Sequence, residues 1–445
     1  MVRLAQTVEA AFEVESTYGD PPGTALTHLG LLDTFDPRAV EMNITPVPSI
    51  GQSTDAHHAS GPIAVTLPLK VALQGTGWQQ LLGRAIGSTT EYSSTKSPSK
   101  LTNTADSLAV LARDTAGDYT LVTGVVPNEV TLEADYTTGG YITLDSQCTA
   151  FYTQDDSDAN FAGFLQPDGG GGADYSAVAW PSPPTADPLV PTDLVVSYST
   201  ATTNGISINR TLGHSVEVGE RYMKIFDTAG TLDSGYGFGD HAAIVNNGVI
   251  DLDHSDTETI TELETVLNAG VTSSATANAG SANPQNLLKG IYKMIGSNVA
   301  IPVVNDADET LTAFNNIKTV SLKIANNNMP VPARTLGQDD STIKWLQHSK
   351  MRRGKADITL DLTMTAENED LYDIYRGDTN NGVIPLIRLD LGTNGSIALT
   401  NGTITSFSRP VTAGGETTET VSIKFRGNGD FLNYSAYAIS ADWSL

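Results

Sequence analysis

Gly61 to Gly83 reads GPIAVTLPLKVALQGTGWQQLLG. In its first half Ile63, Val65, Leu67, Leu69, Val71 and Leu73 fall on alternate positions. Period two marks a strand with one buried face. The period then changes: Trp78, Leu81, Leu82, Ala85 and Ile86 recur at helical spacing and form one apolar stripe. Thr76 is placed to cap the helix start and Gly87 to end it. The stretch predicts a strand feeding a short helix that folds back on the sheet.

The same pattern returns without a gap from Gly354 to Arg376, GKADITLDLTMTAENEDLYDIYR. Val65, Leu67, Leu69 and Val71 lie over Ile358, Leu360, Leu362 and Met364, and Trp78, Leu81 and Leu82 over Leu371, Ile374 and Tyr375. The flanks follow in order. Val40–Ile44, Pro46-Val47-Pro48 and Gly51-Gln52 echo Val320–Ile324, Pro330-Val331-Pro332 and Gly337-Gln338. Gly124, Val126, Gly139-Gly140 and Phe151 echo Gly402, Ile404, Gly414-Gly415 and Phe425. Three blocks in one order point to an internal duplication.

A chain of 445 residues can bury several cores. Its abundance of Thr, Ser, Gly and Asn over aromatics favours short strands and turns. The fold class expected is mainly β: two tandem sandwich or barrel domains, each with a short flanking helix, and an α+β insert between them. The division expected is an arm at 1–37, a first β-domain at 38–154, a Gly/Pro-rich linker at 155–195, the insert at 196–317, a second β-domain at 318–428 and a tail at 429–445. The insert is expected to open with strands at 194–199 and 205–210 joined by a Thr-Thr-Asn turn. It then carries two helices: one on Ile260, Leu263, Val266 and Leu267 ended by Gly270, and one capped by Asn283 and running from Pro284 to Gly296.

The net charge of −26 disfavours a phosphate-binding footprint and an anionic membrane surface. Scattered rather than clustered acids also suit a protein that works in high salt, where self-repulsion is screened. The single cysteine, Cys148, excludes an internal disulfide and reads as a core thiol. Met1-Val2-Arg3-Leu4, followed by Gln6, Thr7, Glu9 and Glu13, offers no leader-like apolar stretch, so the protein is expected to be made and kept in the cytoplasm or to leave by lysis.

Candidate chemistry is sparse. Asp251, Asp253, Ser255 and Glu262 have the spacing of a calcium loop, but Asp256 stands where the loop needs glycine. The competing reading is a capping box from Ser255 to Glu258 on the following helix. His57-His58 reads as an exposed pair in a polar loop. Lys350, Arg352, Arg353 and Lys355 form the one basic cluster, suited to carboxylates of a neighbouring subunit. Trp78 and Trp345 read as structural anchors. No nucleophile, carboxylate pair, metal set or phosphate loop emerges, so the expectation is no enzyme, no catalytic, cofactor or metal residues, and no cofactor.

The pieces together resemble the major tail tube proteins of long, non-contractile-tailed viruses. The matching residues are Glu15-Ser16-Thr17-Tyr18-Gly19; Gly61 and its strand with Leu81-Leu82 and Ala85-Ile86-Gly87; Gly124 opening Val130-Thr131-Leu132; Val320-Ser321-Leu322-Lys323-Ile324-Ala325-Asn326-Asn327; Gly354 and its strand; and Gly402–Phe407 leading into Val421–Phe425. The resemblance implies domains that pair into rings and rings that stack into a tube. Its lumen would hold tape-measure protein and then pass viral DNA without binding it specifically, with no membrane involved and the virion tail as its place. The acidity adds a virus of a halophilic archaeon as source. Two domains per chain imply three chains in a pseudo-sixfold ring, with six chains as the alternative. Another decoration or fibre protein, and a β-rich extracellular hydrolase, are the competing classes.

Overall fold

The computed structural model describes residues 8–15, 18–19, 26–36, 39–47, 57–86, 107–113, 119–150, 152–155, 180–199, 205–209, 213–219, 221–235, 241–269, 274–277, 283–284, 287, 290–293, 298–303, 311–332, 348–352, 354, 356–366, 369–376, 383–410, 417–425 and 439–442. It divides into two units. Unit 1 comprises residues 1–92, 98–192 and 319–357; unit 2 comprises 93–97, 193–318 and 358–445.

Unit 1 contains β1 (Glu9–Val14), β2 (Thr27–His28), β3 (Leu32–Phe35), β4 (Ala39–Val47), β5 (His57–Ala72), α1 (Gly77–Ile86), β6 (Leu108–Arg113), β7 (Tyr119–Asp135), β8 (Thr143–Ala150) and β9 (Tyr152–Asp155). The deciding stretch behaves as its periods demand. Val65, Leu67, Leu69 and Val71 are buried on β5, and Trp78, Leu81, Leu82, Ala85 and Ile86 are buried on α1. Gly77, at the helix start, lies against the backbone of His28 and Leu29, with no room for a Cβ. The expected stop at Gly87 lies outside the described residues.

Unit 2 opens with β10 (Val195–Tyr198). The insert follows: β11 (Gly205–Asn209), β12 (Ser215–Val218), β13 (Tyr222–Phe226), β14 (Ile244–Asn246), β15 (Val249–Asp251), α2 (Ile260–Ala269), β16 (Ser274–Ala277), β17 (Gly290–Lys293) and β18 (Asn298–Pro302). They form a three-stranded sheet, β16-β11-β18, and a five-stranded sheet, β14-β15-β13-β12-β17. Ile208, Ile225, Ile250, Leu263, Leu267 and Ile301 share one buried core. β19 (Thr312–Ala313) follows; β20 (Ile317–Ala325), but for its first two residues, β21 (Met329–Pro332) and β22 (His348–Arg352) belong to unit 1; unit 2 resumes with β23 (Asp357–Thr365), α3 (Asp370–Arg376), β24 (Val383–Asp390), β25 (Ser396–Ser408), β26 (Thr418–Phe425) and β27 (Ile439–Asp442). The chain is mainly β with several sheets, the class its alternation called for, and carries three α-helices among the described residues.

The two β-domains share one set of ladders. Val65–Ala72 pair with Ala150–Thr143, and Ile358–Thr365 pair with Phe425–Thr418, residue for residue. Val122 faces Val110 and Thr153, as Leu399 faces Ile387 and Ile439. Phe12 faces Val110 and Thr27, as Tyr198 faces Ile387 and Thr312. Even loop bonds recur: Leu29 N–H to Ala10 O and Phe314 N–H to Val196 O are both 2.9 Å, and Ala72 N–H to Leu31 O (2.9 Å) matches Thr365 N–H to Asn316 O (3.0 Å). Independent strands would not reproduce both register and loop bonds, because register is fixed separately at every pair. The chain therefore carries a duplicated domain.

The ladders redraw several expected boundaries. Residues 9–35 are β1 to β3 of the first domain, not an arm before it. The second domain begins at β10 and resumes at β19, so the insert interrupts it at the point that in the first domain falls between β1 and β2. Strands β10 and β11, expected as a hairpin, lie in different sheets. The end of the expected linker is docked on unit 1. Leu189 N–H donates to Leu73 O (2.9 Å) and its carbonyl accepts from Ile142 (2.8 Å), while the Arg113 guanidinium lies 4.3 Å from the Trp180 ring centre. The tail supplies β27, the counterpart of β9.

Other readings are corrected in detail. The helix expected from Pro284 is instead a bridge at Leu287 and strand β17 on β12, because a sheet edge was available and Gly290 weakens a helix interior. His57-His58 opens β5 opposite Val47 and Pro46 rather than a loop. Tyr375 is exposed and stacks on Phe407 instead of joining the buried stripe of the shorter α3, which buries Leu371 and Ile374. The matches of Gly124, Val126 and Phe151 slip by one. By register, Val125, Pro127 and Ala150 stand where Gly402, Ile404 and Phe425 stand. Gly124 itself has φ 64° and sits at a bulge between the β7 residues that face Leu108 and Val110.

Candidate functional site

Unit 1 is completed by a strand from far along the chain. Thr319–Ala325 of β20 run antiparallel to Glu129–Asp135 of β7, Leu322 opposite Leu132 and Ala325 opposite Glu129. Alternation explains the fit. Val320, Leu322 and Ile324 are buried, each contributing about 1.5–3 kcal/mol, and Lys323 between them reaches the Glu129 carboxylate at 2.6 Å. Beyond the strand, Asn326 N–H donates to Asn128 O (2.7 Å), Asn328 N–H to Asn128 Oδ1 (2.7 Å) and Asn328 Nδ2 to Pro127 O (3.0 Å). Asn128 is the bulged residue of β7, where regular pairing with β8 breaks. The asparagines thus satisfy backbone groups that the bulge exposes. The run Val320 to Asn327, singled out in the sequence, is a strand plug with a polar latch.

The Glu15-to-Gly19 motif closes the same sheet. Glu15 Oε1 accepts the Gly124 N–H at 2.6 Å, Oε2 accepts the Gly19 N–H at 2.8 Å, and the Ser107 hydroxyl also donates to Oε2. Two of these partners, Ser107 and Gly124, lie about a hundred residues away, so the local sequence gives Glu15 no task. Tyr18 packs beside Val126 and Met351, and burial pushes its hydroxyl pKa well up. In the second domain Arg409 joins the Glu419 carboxylate, which is buried, and donates to Glu369 at 2.7 Å.

The calcium-loop candidates are engaged elsewhere. The Asp251 carboxylate takes a forked bond from Arg221, Nε at 3.2 Å from both oxygens and Nη2 at 2.9 Å, and accepts the Asp253 N–H at 3.0 Å. Glu262 Oε2 accepts the Thr259 N–H (2.9 Å) while Thr259 Oγ1 accepts the Glu262 N–H (3.2 Å). This is a capping box on α2, set at Thr259 and Glu262 rather than at Ser255 and Glu258; Ser255 is exposed. Among the described residues no group of three or more His, Cys, Asp or Glu could hold a metal ion. Cys148 is buried against Ser146 Oγ at 3.2 Å, and burial pushes its thiol pKa up to about 12. Of the basic cluster, Lys350 and Arg352 lie on β22 opposite Val331 and Met329; Arg353, Lys355 and Trp345 lie outside the described residues, as do Gly51-Gln52 and Gly337-Gln338. No described helix is long and apolar enough to cross a membrane.

Burial alone would raise the Asp251 carboxyl, but the Arg221 bonds and the Asp253 amide outweigh it and hold the pKa below the usual value. A lowered carboxylate pKa contributes stability above the unfolded value, about 3.9, and loses it as pH falls through the folded one. Arg221→Ala should therefore move acid unfolding of the insert to higher pH, read as earlier loss of hydrogen-exchange protection in α2. An unchanged acid midpoint would remove this role.

No family model matches the sequence, and no curated protein matches it. Among solved structures, a chain from the virion of a native gene transfer agent (GTA) particle aligns at 12% identity over 26% of this chain and 85% of that one, with a TM-score of 0.20. A score that low assigns no fold to this chain. The internal register carries the structural argument instead.

Proposed function

We propose that the protein is a virion structural subunit that oligomerises into rings, and that stacked rings form the tail tube through which viral DNA leaves. One observation carries the reading: β20, a strand of the second repeat, completes the sheet of the first, while both repeats keep the same ladders. Repeats that join by strand addition are built to continue, and continuation by rotation closes a ring. Two repeats per chain favour three chains in a pseudo-sixfold ring, with the insert on its outside three times. The tape-measure protein and the passing DNA would be lumen partners, met by an acidic wall that does not hold a polyanion. Assembly would take place in the host cytoplasm, and high salt would screen the charge.

Native mass spectrometry of released rings, with electron microscopy of the concentrated protein, tests this. Three chains per ring and tubular stacks are expected. Six chains would refute the paired-repeat count and leave the tube reading standing. A monomer at all concentrations and salt levels would overturn the reading.

A further inference from the structure

We propose that copies of this chain join head to tail by strand addition: the outer edge of β3–β4 in one copy pairs antiparallel with the Ser406–Ser408 end of β25 in the next. The register is the one β20 and β7 show. The inference deepens the ring reading and rests on it for closure alone.

The argument counts edges. In the first repeat β7 is covered on one side by β8 and on the other by β6 and then β20. In the second repeat β25 is covered by β26 on one side and by β24 on the other, but β24 ends opposite Thr403. Ser406, Phe407 and Ser408 face Ser422, Val421 and Thr420, as Glu129, Val130 and Thr131 face Gln147, Ser146 and Asp145. They are therefore the counterparts of the residues β20 covers. No strand covers them among the described residues, and Ser406 and Ser408 are exposed. This edge is an open acceptor.

The donor is equally identifiable. The loop bonds that match Leu29 with Phe314 and Leu31 with Asn316 make β3–β4 the counterpart of β20–β21. Both segments pair next with a further strand: Pro46 faces His58, as Pro330 faces Met351. Counted on from the loop bonds, Val40 stands where Ala325 stands. Strands β3 and β4 pair with β5 on one side, and no strand covers the other among the described residues. Leu31 and Thr34 are exposed, and Phe35 is half-buried where its counterpart Val320 is buried.

Among the described residues the chain thus leaves one donor edge and one acceptor edge after its internal pairing. The occupant that fits both in the known register is a second copy. Since Ala325 faces Glu129, Val40 of one copy should face Ser406 of the next.

Disulfide trapping reads this directly, because facing residues on antiparallel strands bring Cα atoms within bonding range. The variant is Val40→Cys with Ser406→Cys; the internal reference is Glu129→Cys with Ala325→Cys. Buried Cys148 stays in place. After mild oxidation and non-reducing electrophoresis, the reference should stay monomeric with altered mobility. The test pair should give covalent oligomers ending at the ring number, and a mixture of the two single variants should stop at dimers. Rings seen by microscopy without interchain links, while the reference pair closes, would overturn the seam and leave the ring reading. A link that forms only within one chain would overturn it too. Open linear polymers would uphold the seam and overturn ring closure. A protein that neither links nor assembles would overturn both.

Discussion

Leu360→Asp leaves unit 2 unable to fold, and Leu67→Asp does the same to unit 1. Each leucine is fully buried at the same position of its repeat's central strand, facing Ile423 and Cys148 respectively. The carboxylate would lie among apolar side chains and either ionise at high cost or take up a proton. Both routes add to the packing lost with the leucine, which by itself costs about 2–5 kcal/mol. A domain has about 5–15 kcal/mol to lose. Expression in the insoluble fraction, or rapid proteolysis across the mutated unit, is expected. Either variant remaining soluble and assembling would show that this strand is not the core.

The second large effect lies at a size exchange between the repeats. Gly402 faces Phe425, and a Cβ on Gly402 would stand 2.8 Å from the Phe425 ring and 3.0 Å from Ile423 Cγ2. The same two positions in the first repeat are Val125 and Ala150, both buried. The first repeat fills the space from β7, with Val125, and the second from β26, with Phe425. Phe425→Ala alone should cost about 3–5 kcal/mol through the cavity it leaves. Gly402→Val alone should cost about 1–3 kcal/mol by overpacking. The double variant rebuilds the first repeat's solution and should be more stable than Phe425→Ala alone. Chemical denaturation of the three variants gives the coupling energy. Additive losses would mean that the two positions do not share one space.

Local pattern carried much of this protein. Alternation needs only a buried face and an exposed one, so β5 and β23 were legible together with the residues they bury. The change of period at Trp78 and at Leu371 marked both helices for the same reason. The duplication was legible because two such changes stand at one spacing. The run Val320 to Asn327 was visible as a motif, yet nothing in it says that the strand completes the sheet of the first repeat.

What the tertiary structure decided was pairing across distance. Strands β10 and β19 are short, and β19 returns to β10 only after the whole insert, so no local pattern marks them as one domain's edge. A bulge consumes a residue without changing hydrophobicity, so Gly124 and Gly402, alike in sequence setting, stand one position out of register. Leu287, Leu288, Ile291 and Ile295 have a helix-like spacing, but β12 offered an unfilled edge, and backbone hydrogen bonding to a neighbour overrode a marginal local preference. Glu15 shows the same limit: a carboxylate beside a turn has no legible purpose until the chain brings Ser107 and Gly124 to it. Open edges are the extreme case, because an unpaired strand is defined by what does not lie beside it. The sequence alone fixes which strands exist and which faces they bury, since those depend on near neighbours; which edges are covered depends on the path of the whole chain.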